Sequence, residues 1–144
     1  MERHSFKTTI NADRQKVWDV LWGKDTYPKW TSVFSEGSTV ETDWKEGSKV
    51  LFLDGKGSGM VSKIESKKAP EYMSFKHLGE MKAGVEDVSG RPDWYGSLEN
   101  YRLKEVNGKT TLEVEMDITD EYKDFFMEKQ PQALQKVKEL AEKN

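Results

Sequence analysis

Two hydrophobic periods meet at residue 119, and their junction restricts the fold more than any other feature of the chain. Upstream, Leu112, Val114, Met116 and Ile118 alternate with Thr111, Glu113, Glu115 and Asp117, the pattern of a strand with one buried and one wet face. Downstream, Tyr122, Phe125, Phe126, Ala133, Leu134, Val137, Leu140 and Ala141 recur at helical spacing. A long amphipathic helix is therefore expected, with Thr119, Asp120 and Glu121 as its cap and acidic first turn. Two apolar faces this regular are expected to bury against each other, the strand face against Phe126, Leu134 and Val137. Pro131 lies inside the helical run and predicts a kink there.

The period of two reaches back to about residue 36. Candidate strands fall near 37–43, 48–54, 58–67, 71–79, 94–105 and 109–118. They are punctuated by Lys45-Glu46-Gly47, Asp54-Gly55, Ala69-Pro70-Glu71 and Asn107-Gly108, and connections this short imply an antiparallel meander. Before the meander, residues 5–10 read as a strand. A turn at Asn11-Ala12-Asp13 can cap a helix over about 14–22, where Val17, Trp18, Val20 and Leu21 share a face. Gly23 can end that helix, and Thr26 to Trp30, with Pro28 in the first turn, reads as a second short one. Residues 80–93 fit no element; with Gly84, Gly90 and Pro92 they read as a mobile flap at one end of the fold, Val85 and Val88 dipping inward.

Composition removes several function classes. The chain has 144 residues, the length of one domain, and no cysteine, so disulfides, a thiolate nucleophile and Cys-ligated zinc or iron–sulfur clusters are excluded. Its only histidines, His4 and His77, are far apart in sequence and no carboxylates have loop-ligand spacing, so no metal is expected. Net charge is −3 with lysines dispersed among acids, which argues against a nucleic-acid partner. No apolar run approaches the length needed to span a bilayer, and the first residues do not read as a signal peptide, so a cytoplasmic location is expected. The glycine-rich Gly55 to Gly59 joins two strands and opens no helix, which removes a phosphate-loop reading.

The order of strand, two short helices, six-strand meander and terminal helix resembles the helix-grip (START-like, SRPBCC) superfamily. Ile10-Asn11-Ala12-Asp13 with Val17-Trp18 and Leu21, then Trp30 and Trp44-Lys45-Glu46-Gly47-Ser48, are similar to the opening of proteins related to activators of the large heat-shock chaperone's ATPase. The likeness continues through Gly59-Met60-Val61, Glu71-Tyr72-Met73-Ser74-Phe75, Glu99-Asn100-Tyr101-Arg102-Leu103 and Ala133-Leu134, and so covers the whole chain. It implies an α+β fold in which a curved antiparallel sheet of about seven strands wraps the last helix and leaves a cavity between them. These are scaffold motifs, and one scaffold of this kind hosts many functions. The absence of a Cys-x-His pair removes the Rieske branch.

Strand parity selects the polar candidates. If Tyr101 and Leu103 face the core, Glu99 and Ser97 do too; Met73, Phe75 and His77 share a face on another strand. Glu99 and His77 then stand in an aromatic surrounding, either as ordinary hydrogen-bonded core groups or as groups that orient a ligand or move a proton. Apolar candidates for a cavity lining are Trp30, Phe52, Met60, Phe75, Tyr101, Met116 and Phe126. Three readings follow: binding of a small apolar or amphipathic molecule, contact with a chaperone, or a cofactor-free enzyme of the cyclase or dehydratase type using Glu99 and His77. With no nucleophile motif and no cofactor signature, no residue is assigned a catalytic role and binding is the leading expectation.

Overall fold

In the computed structural model, which describes residues 1–90 and 92–143, the chain runs β1 (Glu2–Ile10), α1 (Arg14–Trp22), α2 (Tyr27–Thr31), β2 (Thr39–Glu41), β3 (Lys49–Leu53), β4 (Gly59–Lys68), β5 (Tyr72–Lys82), β6 (Val85–Asp87), β7 (Leu98–Val106), β8 (Lys109–Ile118) and α3 (Asp120–Glu142). Seven strands form one sheet in the order β1-β8-β7-β5-β4-β3-β2, every neighbouring pair antiparallel, and β6 pairs with the far half of β5. The short helices and α3 cover one face of this sheet. That is the α+β helix-grip arrangement the sequence pattern predicts.

Local chemistry accounts for the elements. The Asp13 carboxylate accepts from the Lys16 backbone N–H at 2.8 Å and so caps α1. The Trp30 indole donates to the Leu21 carbonyl at 3.0 Å, which fixes α2 against the end of α1. Asn107 and Gly108 both have positive φ, the geometry of the two-residue turn whose twist matches a hairpin, and they join β7 to β8. On β8 the alternation is complete: Leu112, Val114, Met116 and Ile118 are buried, in one core cluster with Leu134 and Val137 of α3. Each such side chain removed from water contributes about 1.5–3 kcal/mol. The opposite sheet face is polar, with Ser5 donating to Glu113 at 3.0 Å, Arg3 to Asp117 at 3.0 Å, and Arg102 paired with Glu115.

Several details of the structure refine or overturn the sequence reading. Residues 80–93 are not a simple loop: β5 continues to Lys82, Ala83 and Gly84 turn with positive φ, and β6 returns along it. Val85 and Val88 do not dip inward, being 67% and 46% exposed. Strand β2 is only three residues, and β7 starts at Leu98 because residues 93–96 form turns. α3 continues through Pro131 without a break into two helices, and the proline is on the solvent side. There the Met127 carbonyl, which loses its helical donor, belongs to an exposed residue that water can reach. Finally, Thr119 makes no side-chain cap bond, and Tyr122 and Phe125, counted in the apolar stripe, are about two-fifths exposed. The first two turns of α3 therefore extend past the packed core.

Candidate functional site

The space under those first turns is hollow. Two adjoining chambers, of about 360 Å³ and about 240 Å³, lie between the inner sheet face and α3, and both are bordered by Gly59, Met60, His77, Glu99, Met116 and Phe126. The larger is completed by the end of β5 (Glu80, Met81, Lys82), by Trp94 and Ser97, and by Thr119 and Tyr122 at the start of α3. The smaller is the more aromatic, lined by Trp22, Tyr27, Trp30, Phe34, Phe52, Tyr101 and Phe125 together with Gln130 of α3.

Eight of the nine residues singled out from the sequence border these chambers: Trp30, Phe52, Met60, His77, Glu99, Tyr101, Met116 and Phe126. Phe75 does not. It is fully buried behind the lining, edge-on to Phe52, Trp22 and Tyr101 at centroid distances of 5.1, 5.3 and 6.2 Å, where it supports the rings that do. Met73 is fully buried and Met127 is exposed, so the adaptable sulfur side chains of the cavity are Met60, Met81 and Met116.

Three strands bring the polar residues together. Phe75 of β5 lies opposite Glu99 of β7, so His77, two residues further along the same face, reaches Glu99 diagonally. His77 Nε2 and Glu99 Oε1 are 3.1 Å apart, and the Tyr101 hydroxyl donates to Glu99 Oε2. On the far side of the ring, Ser62 of β4 lies directly across from His77, with its Oγ 2.6 Å from Nδ1. With His77 neutral, Ser62 donates to Nδ1 and Nε2–H donates to the carboxylate, so the two neighbours fix the tautomer. Burial of Glu99 pulls its carboxyl upward, but the bonds from His77 and Tyr101 outweigh that and hold it below the ordinary glutamate value. The Tyr101 hydroxyl is raised by burial and by the adjoining carboxylate, and Tyr27 is raised by burial and, less, by the same charge.

Chemically this is a buried polar relay with only part of its length facing the cavity. Ser62 is fully buried and borders neither chamber, so its hydroxyl is not presented as a nucleophile. Glu99, with 19% of its side chain exposed, and His77 do reach the space. Among the described residues no three His, Asp or Glu side chains converge as a metal site would need.

A bulge explains a polar group that parity misplaces. Val61 pairs with Gly79 but Ser62 pairs with His77, which leaves Leu78 as an extra residue in β5. Past it the alternation reverses, so Glu80 lies opposite Met60 and joins the larger chamber although it is out of phase with His77. Ser62 and Gln130 also escaped the sequence reading. For Gln130 a signal exists: it stands four residues after Phe126 and four before Leu134, on the buried stripe of α3.

An antiparallel sheet gripping a terminal helix around an aromatic-lined hollow defines a helix-grip domain. The chain belongs to the family described as activator of Hsp90 ATPase homolog 1-like protein, whose model matches residues 11–142. It is similar to the Aha1 dimer from Colwellia psychrerythraea, at 19% identity and a TM-score of 0.74, covering 99% of this chain and 97% of that one. It is also similar to protein MLL2253 from Mesorhizobium loti (12% identity, TM-score 0.76, 96% of both chains) and to CalU16 from Micromonospora echinospora (17% identity, TM-score 0.69, 96% of this chain and 75% of that one). At these identities the structural likeness carries the fold alone. Comparison with curated proteins gives no match. No helix among the described residues is long and apolar enough to cross a membrane.

Proposed function

We propose that this domain binds a small apolar or amphipathic molecule in the space between sheet and α3. The observation that carries the reading is the pairing of an aromatic and methionine lining with a few fixed polar groups, Glu99 and His77 among them, that border both chambers. Ligand sites have this composition: apolar walls supply affinity, and a small number of held polar groups supply orientation. Glu99 accepts two hydrogen bonds from its own chain and keeps further lone pairs, so it would orient a hydroxyl or amine of the ligand. Native mass spectrometry of the purified protein tests the reading; a co-purified small molecule is expected, displaced in Met116→Trp, which fills the border between the chambers. A protein that flies without adduct and binds no small aromatic probe would remove it.

A second reading, contact with a chaperone, is favoured by the family's description and by the exposed Tyr122, Phe125 and Met127 at the start of α3. It expects retention of the host's heat-shock chaperone on the immobilised domain and a change in its ATPase rate; no change in that rate counts against it.

A further inference from the structure

Two turns of the chain place a glycine directly after an aspartate or asparagine, Asp54-Gly55 and Asn107-Gly108, and the structure treats them differently. At the first, the Asp54 carboxylate is held by the backbone N–H groups of Lys56 at 2.7 Å and Ser58 at 3.1 Å, and a Cβ on Gly55 would lie 2.8 Å from the Gly37 carbonyl oxygen. The side chain is tied and the glycine crowded. At the second, every residue from Lys104 to Lys109 is exposed, the Asn107 side chain has no hydrogen bond among the described residues, and a Cβ on Gly108 would meet nothing within 4 Å. A free primary amide next to an unshielded glycine nitrogen is the arrangement in which asparagine cyclises. The other described asparagines lack it: Asn100 is 3% exposed and accepts from Ser74 at 2.5 Å, and Asn11 precedes Ala12, whose methyl group shields the nitrogen.

The tip lies beyond Val106 and Lys109, the last pair of the β7–β8 ladder, so the rotation that brings the Gly108 nitrogen to Asn107 Cγ opens exposed residues and no core contact. We infer that Asn107 is a site of spontaneous deamidation and isoaspartate formation in the folded protein, with water as the only co-reactant. The Gly108 nitrogen gives up its proton and attacks Asn107 Cγ; the new C–N bond closes a five-membered succinimide, and the side-chain nitrogen takes up a proton and leaves as ammonia. Water then opens the ring. Addition at Cγ returns an ordinary main chain with an aspartate at 107. Addition at the main-chain carbonyl carbon leaves isoaspartate, whose backbone runs through the side chain and is one methylene longer.

That second product does not fit the turn. Asn107 and Gly108 hold φ of 53° and 77°, the two-residue geometry that sets the β7–β8 register, and an added methylene removes it. The tip also anchors the start of α1. Glu105 accepts from the Arg14 amide at 2.9 Å, Thr110 donates to the Ala12 carbonyl at 2.8 Å, and these two residues pair across the hairpin. Isoaspartate at 107 therefore loosens the end of the hairpin and the entry to α1 together.

The test is to hold the folded full chain at neutral pH and physiological temperature beside a synthetic peptide spanning 105–111 as the clock. Sites are read by peptide mapping in a mass spectrometer and by labelling with an isoaspartate-specific carboxyl methyltransferase. When the peptide is fully converted, the chain is expected to carry the modification at 107 and not at Asn11, Asp54 or Asn100, with isoaspartate the larger product and faster hydrogen exchange at Arg14 and at 105–110. Asn107→Gly keeps a turn of two residues that adopt positive φ and is expected to take no label. An intact Asn107 at that time, or equal label in Asn107→Gly, overturns the inference. So does a rate that rises in proportion to the unfolded fraction in Leu134→Ala, because the tip of the folded chain would then be inert.

Discussion

Replacing Glu99 by Gln removes one charge from the buried relay and little else. The carboxylate accepts from His77 Nε2 at 3.1 Å and from the Tyr101 hydroxyl, and a hydrogen bond to a charged partner contributes about 1.5–3 kcal/mol against about 0.5–1.5 kcal/mol for a neutral one. Two bonds weakened in this way would lose about 3 kcal/mol, from which the relief of no longer burying a charge must be subtracted, leaving an expected loss of about 1–2 kcal/mol at neutral pH. The amide can be accommodated because His77 can change tautomer, accepting at Nε2 and donating from Nδ1 to Ser62. Glu99→Ala has no such escape. It strands the His77 and Tyr101 donors and should cost about 3–5 kcal/mol, as broken buried pairs do.

The pH dependence has a defined sign. The Glu99 carboxyl is lowered in the folded protein relative to an ordinary glutamate, so the unfolded chain takes up the proton first on acidification. Its contribution is complete above the unfolded value and is lost as pH falls through the folded one. Urea midpoints of wild type and Glu99→Gln, followed by tryptophan fluorescence, should therefore differ most near pH 7 and converge as the pH falls below 4.5. A gap that widens on acidification, or none at pH 7, refutes the account of Glu99 as a carboxylate held ionised by its neighbours.

Leu134→Ala, deep in the interface between α3 and β8, should lower stability by about 2–5 kcal/mol in the same urea assay; a change below about 0.5 kcal/mol would mean the stripe is not core. Gly59→Ala would put its Cβ 1.9 Å from the Phe52 carbonyl oxygen, so β3 and β4 must separate at the cavity border; a loss of about 1–3 kcal/mol by thermal melting is expected, and an unchanged melt would show that the strands yield freely there. Amides of 85–87, on a three-residue edge strand with exposed side chains, should exchange hydrogen fast while those of 111–118 are among the slowest; equal protection would contradict the marginal pairing of β6.

What could be read from the sequence depended on whether the determining interaction was local. The β8 alternation, the Asn107-Gly108 turn and the Asp13 cap are each decided within a few residues, and each stands where the pattern puts it. The inward side of Glu99 was legible because parity holds along β7 without interruption. Parity failed on β5, where the bulge at Leu78 reverses it and brings Glu80 to the cavity; the one local sign is Gly79, since an isolated glycine inside a strand marks a bulge or a close backbone approach. The hairpin between β5 and β6 was missed because Ala83 takes the left-handed position that Asn or Gly usually supplies. Ser62 was missed because a serine in a strand carries no sign of which side chain lies across from it.

The two ends of α3 divide the packed core from the border of the hollow. Its C-terminal half carries small buried residues, Ala133 and Ala141, which let the helix approach the sheet closely. Hydrogen bonds tie the same end to the start of the chain: Lys138 Nζ to the Thr9 carbonyl at 3.1 Å, and the Asn11 amide to Glu142 at 2.8 Å. The first turns instead carry Phe126, half-buried over both chambers, and Tyr122 and Phe125 at their rims. A rod fixed and packed at one end can border a hollow at the other without losing its position, because the cooperative core is already complete between β8 and the C-terminal half. Gln130 lies where those regimes meet, one turn before Leu134, which is why a polar side chain can persist there on an otherwise apolar stripe. Were the whole helix packed as tightly as its C-terminal half, that amide would sit in a solid core; at position 130 it borders the smaller chamber instead.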